Sequence, residues 1–175
     1  MTYLDAILQK RRSIRKYTEE IISMDKIEEI INAGIWAPTA CNLQAYRFIY
    51  IEDRSLFEKI TKAGSAHFLA NCKQAILVLY KKRTDNTEYS DNILSAGAVI
   101  QSMLLKASEL DIGACWVCNL PMKKVMRKIF NISNRYNPVS LITLGFPANE
   151  RKEVKRKYTV SEVLYINKYT GGGGY

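Results

Sequence analysis

Histidine is nearly absent from this chain, which has one, His67, among 175 residues. A zinc site at the Cys115-Trp-Val-Cys118 spacing would need two further ligands, and one histidine cannot supply both. Four cysteines are also too few for a disulfide scaffold in a chain of this length. The spacing is that of a redox motif, but it follows a long helical pattern instead of opening a helix. We therefore expect no metal, and small buried thiols in a reducing compartment.

Long apolar runs are missing as well. The first residues, MTYLDAILQKRRS, lack the apolar stretch of a secretory signal. The longest clear apolar run, Ala75 to Tyr80, is too short to span a membrane. These absences predict a cytoplasmic protein with no membrane partner. The hydrophobic fraction of 47% fits one domain with a proper core, which we place at residues 1–168, ahead of a flexible glycine-rich tail at 169–175.

Positive charge is what the chain has in excess, with a formal net charge of +9. Such a charge suits nucleic acid, a membrane surface or a phosphorylated small ligand. No recognisable nucleic-acid motif supports the first of these. The basic residues are either two solvated surface patches or two groups that converge on one phosphate, because the ends of a domain often lie near each other. The two groups are Lys10, Arg11, Arg12, Arg15 and Lys16, and Arg151, Lys152, Lys155, Arg156 and Lys157.

Apolar periodicity predicts an α+β domain with a central sheet. Helices are expected after Thr2, from Ser23 to a stop at Gly34, and over 55–62, 91–110 and 122–130. Strands are expected over 47–51, 74–80, 114–117 and 139–144, with a polar loop over 81–89. Thr159 and Glu162 predict a capping box for a last short helix.

Three segments carry the candidate chemistry. In the first, Arg11-Arg12-Ser13-Ile14-Arg15, fixed guanidinium and hydroxyl donors suit a phosphate, and Arg15 suits a second electron-rich group. The alternative is a basic helix end that offsets the helix dipole. The second, Pro38 to Gln44, offers the side-chain amides of Asn42 and Gln44 to the edge of a flat heteroaromatic ligand, or is a plain connection.

The third segment, Gly113 to Asn119, combines glycine, small residues and Trp116, and its backbone is expected to pass close to a flat ligand. The alternative is an ordinary buried strand and turn. No protein nucleophile or carboxylate pair stands out, so we expect no catalytic side chain.

The strings RRSIR, APTACNLQAY, ELDIGACW and GFP followed by VKRK, in this order, resemble the FMN site of the nitroreductase family. The resemblance covers nearly all of residues 3 to 165. Thr39, Ala45-Tyr46 and Asp111 depart from the family pattern and affect the expected substrate pocket more than cofactor binding. The resemblance implies a nitroreductase-like fold, with a mostly antiparallel β-sheet flanked by helices. It also implies a homodimer with two FMN sites at the interface.

The resemblance further implies which residues hold FMN. The N-terminal segment would hold it from one subunit and the Pro38–Gln44 loop from the other, while the segment after Trp116 would lie beside flavin N5. The implied cofactor-binding residues are Arg11, Arg12, Ser13, Arg15, Pro38, Thr39, Ala40, Asn42, Gln44, Trp116, Val117, Cys118, Asn119, Lys155 and Arg156.

The implied activity is ping-pong hydride transfer through flavin N5, from NAD(P)H to a nitroaromatic, quinone or related small acceptor. Two alternatives stay open. One is a flavoenzyme of the same fold with another reaction, such as a dehalogenase, a dehydrogenase or a flavin-consuming enzyme. The other is a non-enzymatic basic protein that binds nucleic acid.

Overall fold

The computed structural model describes residues 2–82, 91–150 and 153–169. Residues 83–89 of the expected loop, Arg151 and Lys152 of the second basic group, and residues 170–175 of the expected tail lie outside this range. The helices are α1 (Tyr3–Lys10), α2 (Met24–Ile35), α3 (Arg54–Lys62), α4 (Asp91–Glu109), α5 (Lys123–Phe130) and α6 (Val160–Val163). The strands are β1 (Tyr46–Ile51), β2 (Gln74–Lys81), β3 (Gly113–Val117) and β4 (Tyr136–Gly145). Short 3₁₀ turns occupy Ala40–Asn42 and His67–Asn71, which the periodicity did not predict.

Helix ends follow the local sequence. The Thr2 hydroxyl accepts a hydrogen bond from Asp5 N at 3.2 Å, and the Asp5 carboxylate closes a capping box. Thr159 and Glu162 form the expected second box. The expected stop at Gly34 was wrong: α2 continues to Ile35 and Gly34 is buried against Met103, where an added Cβ would lie 2.8 Å from Met103 Cγ. Gly34 is therefore a close-packing site between α2 and α4 and does not end the helix.

The four strands form one sheet in the order β1-β2-β4-β3, and every neighbouring pair is antiparallel. This confirms the expected α+β class with a mostly antiparallel sheet. The pairing places Gly113 opposite Gly145, where β3 begins and β4 ends. That end of the sheet is where the basic N-terminal segment lies.

Both faces of the sheet are buried. One core lies between the sheet and the α2–α4 pair, around Ile30, Ile76 and Met103. The second lies on the side of α3 and α5, around Phe57, Leu77 and Met126. Strand β2 is therefore apolar on both faces, as its continuous run of hydrophobic residues requires.

Helix α4 packs into the first core, where its Ala96, Ile100, Met103 and Ala107 are completely buried. In contrast, α1 has no buried residue and is tied to the end of α4 by polar contacts. Tyr3 Oη donates to Glu109 Oε1 at 2.8 Å, and Lys10 Nζ lies 2.7 Å from Asp111 Oδ1. None of the described helices has the length and apolarity that crossing a membrane would take.

Candidate functional site

The basic segment after α1 is fixed to the sheet end by its backbone. Ser13 forms a parallel bridge with Ala114 of β3, and Ile14 N donates to Ala114 O at 2.9 Å. Further on, Thr18 N donates to Phe146 O at 2.8 Å, just beyond β4. Arg15 lies between these two attachments. The segment thus continues the sheet as a short extra edge, and this edge carries the candidate phosphate-binding side chains.

Two glycines make room for this edge. A Cβ on Gly113 would lie 2.9 Å from Ile14 Cγ2, and a Cβ on Gly145 would lie 2.6 Å from Tyr17 Cγ. Both distances are below ordinary van der Waals contact, so a side chain at either position would push the basic segment away. The two glycines of the GACW and GFP strings therefore serve a close backbone approach.

The N-terminal and C-terminal basic groups meet at one cavity of about 570 Å³, here named the arginine cavity. Arg11, Arg12, Ser13 and Arg15 line it from one side and Arg156 from the other. Burial, followed by the nearby charges of Arg156 and Arg12, lowers the pKa of Arg11. Like charges held together in this way repel one another unless an anion lies between them. The cavity therefore concentrates positive charge, although the acidic Glu150 also lines it.

The other basic residues of the two groups have different surroundings. Arg12 Nη1 donates to Arg11 O at 2.7 Å and also to Gln9 O, so its guanidinium caps the carbonyl end of α1. Lys155 lines an adjoining cavity of about 770 Å³ that shares Arg11, Arg12 and Arg156 with the arginine cavity. The helix-end interpretation therefore fits Arg12, whereas Arg11 and Arg15 line the arginine cavity.

The Pro38–Gln44 loop is strained. Cys41, Asn42 and Gln44 have φ values of 49°, 52° and 46°, in the left-handed region that non-glycine residues rarely adopt. Gln44 Nε2 donates to Asn42 Oδ1 at 3.1 Å, Gln44 N donates to Thr39 Oγ1 at 3.1 Å, and Ala40 N donates to Ser95 Oγ of α4 at 3.0 Å. Such strain is common at ligand-binding segments. Neither Pro38 nor any other loop residue lines the arginine cavity, so the described chain does not bring these two candidate segments together.

The segment after β3 is only partly accessible. Trp116 is 37% exposed and packs beside Gly97 of α4, whereas Cys118 and Asn119 are exposed. Val117 is buried, and its carbonyl accepts a hydrogen bond from Ser140 Oγ at 2.8 Å. The side chain of Val117 therefore cannot touch a ligand at the surface. Just before β3, Asp111 has φ 59°. This left-handed conformation favours glycine, which the family pattern has at this position, and Asp tolerates it as well.

The expectation of buried thiols was right for two cysteines. Cys72 and Cys115 are buried, whereas Cys41 and Cys118 are exposed. Burial raises the pKa of the Cys72 thiol to about 12 and also raises that of Cys115, where nearby Arg15 acts in the opposite direction. Beside them Tyr17 Oη lies 2.7 Å from Thr143 Oγ1, and burial raises the pKa of Tyr17. The expectation was wrong for the other two, because Cys41 lies in the 3₁₀ turn at Ala40–Asn42 and Cys118 lies just beyond the end of β3.

The fold also brings to the site basic residues that are not among the implied cofactor-binding residues. Lys16 lines the arginine cavity and also a second one of about 950 Å³, here named the outer cavity. Arg15 is shared in the same way, and Arg54 and Lys73 contribute from the start of α3 and the residue before β2. Lys16 belongs to the first basic group of the sequence, but nothing in the sequence joins Arg54 and Lys73 to that group. Within the described ranges, no three His, Cys, Asp or Glu side chains gather in a way that could hold a metal ion.

Comparison with known proteins identifies the class to which this fold and site belong. The model of the nitroreductase family matches residues 8–68 and 52–146. A relative from Archaeoglobus fulgidus, provisionally named NADH dehydrogenase/NAD(P)H nitroreductase, is 31% identical over 149 residues, which cover 83% of this chain and 86% of that protein. The chain therefore belongs to the nitroreductase family and is an oxidoreductase, which confirms the resemblance drawn from the motifs.

Other similar proteins differ in what their names state. A protein of Pseudomonas sp. strain G-1 named Cr(VI) reductase is 27% identical, over 93% of this chain and 74% of its own length. The solved structure of an FMN-dependent nitroreductase from Clostridium difficile R20291 is 26% identical, with a TM-score of 0.79 over 93% of this chain and 98% of that one. Nitroreductase A from Vibrio parahaemolyticus, at 20% identity, has a TM-score of 0.89 over 99% of this chain and 79% of that one, and supports the fold alone.

Proposed function

We propose that this protein is an FMN-dependent oxidoreductase that uses NAD(P)H to reduce nitroaromatics, quinones or related electron-poor acceptors. The observation that carries the proposal is the arginine cavity, where Arg11, Ser13 and Arg15 meet Arg156 from the other end of the chain. The names of similar proteins support it, since the one from Clostridium difficile is an FMN-dependent nitroreductase and the one from Archaeoglobus fulgidus is provisionally named NADH dehydrogenase/NAD(P)H nitroreductase.

The residues of the cavity fit the phosphate of FMN. Burial, and then the neighbouring charges of Arg156 and Arg12, lower the pKa of Arg11, and a bound anion would offset the repulsion among these guanidinium groups. Arg11, Ser13 and Arg156 would hold the phosphate through charge-assisted hydrogen bonds, and Arg15 would meet the flavin ring. The bound flavin would supply hydride chemistry at N5, with the donor leaving before the acceptor enters. The protein's own contribution is to bind, orient and place positive charge, and no catalytic side chain is required.

Two further segments belong to this proposal. The backbone around Trp116, Cys118 and Asn119 would lie beside the reactive edge of the flavin. The Pro38–Gln44 loop would reach the flavin from a partner subunit, because this loop does not line the arginine cavity of its own chain. The strained backbone at Asn42 and Gln44 holds both amide side chains at the exposed surface, where a partner's ligand could meet them.

A homodimer follows from the same argument. Large apolar side chains are exposed on α1, at the start of α4, beside the loop and along residues 153–169. Leu4 is 58% exposed, Trp36 83%, Leu94 73% and Ile166 79%, and such an apolar surface marks a protein interface. We infer that a second copy of the chain covers it and completes each FMN site.

The test begins with the purified protein. Its flavin is released by heat and identified by chromatography, and the loaded protein is then reduced anaerobically with NADH and NADPH in parallel. Reoxidation by a nitroaromatic or a quinone completes the cycle. Recovery of mainly FAD would contradict the cofactor assignment. A colourless protein that FMN cannot reconstitute, but that binds DNA with a steep salt dependence, would favour the nucleic-acid alternative.

A further inference from the structure

The outer cavity has an excess of positive charge that the flavin phosphate would not use. Arg15, Lys16, Arg54 and Lys73 line it, against two acidic side chains, Glu19 and Glu52. It adjoins the arginine cavity, because Arg15 and Lys16 line both. A cleft lined by one sign of charge raises the local concentration of ligands of the opposite sign.

The pairing of these side chains leaves a net positive field. Lys73 forms an ion pair with Glu19, and its ammonium also donates to Glu19 O at 3.0 Å, so this pair is internally balanced. Arg54 makes a long, exposed contact with Glu58, at 3.8 Å between Nε and Oε1, and its charge also acts on Glu19. Glu52 is then the remaining acid, against Arg15, Lys16 and Arg54.

Lys16 lines both cavities but is not one of the residues proposed to hold the FMN phosphate. Its carbonyl accepts a hydrogen bond from Ala148 N at 3.1 Å, which fixes its backbone beside the end of β4. Lys16 is exposed and lines both cavities, so its charge is close to a ligand in either one.

We propose that the outer cavity binds anionic electron acceptors, such as nitroaromatic carboxylates, and that Lys16 determines this preference. The inference rests on the proposed function, because it places the acceptor beside the FMN site. With 4-nitrobenzoate the balanced reaction is 4-nitrobenzoate + NAD(P)H + H⁺ → 4-nitrosobenzoate + NAD(P)⁺ + H₂O. The nitro group receives two electrons from the nicotinamide, and one of its oxygens leaves as water. The carboxylate is unchanged and serves only for binding.

The first experiment measures binding and needs no turnover. Benzoate and its neutral isostere benzamide are titrated into the FMN-loaded protein by calorimetry, so that the flavin phosphate already fills the arginine cavity. We expect benzoate to bind more tightly than benzamide, and Lys16→Gln to remove most of the difference. Lys124→Gln, on the exposed side of α5 and outside the described cavities, is the matched control and should leave the difference unchanged. Equal binding of both compounds by the wild type would overturn the inference.

The second experiment measures turnover as kcat/KM for 4-nitrobenzoate divided by kcat/KM for 4-nitrobenzamide. Lys16→Gln should lower this ratio roughly threefold, as expected for one unit charge at about 7 Å in a solvated cleft, and Lys16→Glu, which changes two unit charges, should lower it about sevenfold. Raising the salt concentration from about 20 to 200 mM should lower this ratio for the wild type, and it should lower the ratio of Lys16→Gln by a smaller factor. A ratio that neither variant changes would refute the assignment of Lys16.

The outcomes separate this inference from the function on which it rests. If benzoate binds preferentially but neither nitro compound is reduced, the anion site stands and the proposed reductase activity fails. If both compounds are reduced at a ratio independent of Lys16, the activity stands and the anion site fails. Lys73→Gln gives a further check: loss of FMN in this variant would assign the outer cavity to the cofactor and overturn the inference.

Discussion

Gly145 lies directly against the ring of Tyr17, so closely that a Cβ at position 145 would stand 2.6 Å from Tyr17 Cγ. Tyr17 also bridges to Pro147, and its hydroxyl lies 2.7 Å from Thr143 Oγ1. The end of β4 therefore holds the chain that leads away from the arginine cavity. The packing of Gly145, in the GFP string, against Tyr17 thus helps to fix the position of the charged side chains of the basic N-terminal segment.

Gly145→Ala tests this coupling. The added methyl has no space beside Tyr17, so the basic segment must shift, and we expect a loss of about 1–3 kcal/mol of unfolding free energy together with weaker FMN binding. Urea unfolding and a flavin titration measure the two effects. Gly97→Ala is the control, because its Cβ would meet Trp116 only at 3.7 Å and should gain up to about 1 kcal/mol of helix stability. A Gly145→Ala protein with wild-type stability and affinity would contradict the coupling.

Arg11→Ala and Arg156→Ala test the phosphate clamp. Each removes one charge-assisted contact, worth on the order of 1.5–3 kcal/mol, so FMN should bind about tenfold more weakly or worse. Fluorescence titration of the apoprotein with FMN measures the change. Lys124→Ala removes a positive charge from α5 without touching the cavity and should bind FMN as the wild type does. If both arginine variants keep full affinity, the two basic groups are surface patches.

The local signals in the sequence predicted most of the fold. The cap at Thr2, the capping box at Thr159, the four strands and the helix over 91–110 depend on side chains within a few residues of one another, and the structure has all of them near the expected bounds. The predicted helix end at Gly34 was wrong because this glycine gives a neighbouring helix space to pack, and the backbone does not turn there. That neighbour, Met103 of α4, is far away in the sequence.

The candidate site was predictable to the extent that its residues are adjacent in sequence. Charge alone suggested that Arg11 and Arg156 converge, but left the surface-patch alternative open until the cavity was seen. The contribution of Arg54 and Lys73 depends on how β2 and α3 are placed around residues 15–21, which no local pattern encodes. The exposure of Cys118 likewise depends on where β3 ends.

Leu94→Glu tests the shared-site dimer. Leu94 is 73% exposed near the start of α4, whereas Ile100 on the same helix is completely buried in the chain's own core and cannot report on an interface. A charge at position 94 should therefore weaken dimerisation without damaging the fold, and FMN should be lost in parallel because each site would lack its second wall. Light scattering and flavin absorbance measure the two properties, with Lys124→Glu as the control. A well-folded Leu94→Glu monomer that holds FMN tightly would contradict the shared site.

The buried thiol of Cys72 predicts how stability depends on alkaline pH. Burial raises its pKa from an ordinary 9.0 to about 12, so the folded protein keeps this proton at a pH where the unfolded chain releases it. Between pH 9 and about 12 unfolding therefore releases one proton from Cys72, and stability falls as the pH rises. Below pH 9 both states hold the proton and this contribution vanishes.

Relative to Cys72→Ala, the wild type should lose about 1.4 kcal/mol more of unfolding free energy per pH unit above pH 9. Urea unfolding of the reduced apoprotein at pH 8, 9.5 and 10.5 measures the difference in slope, and Cys118→Ala, which removes an exposed thiol, should follow the wild type. Parallel slopes for the wild type and Cys72→Ala would mean that the thiol at position 72 is open to solvent in the folded protein.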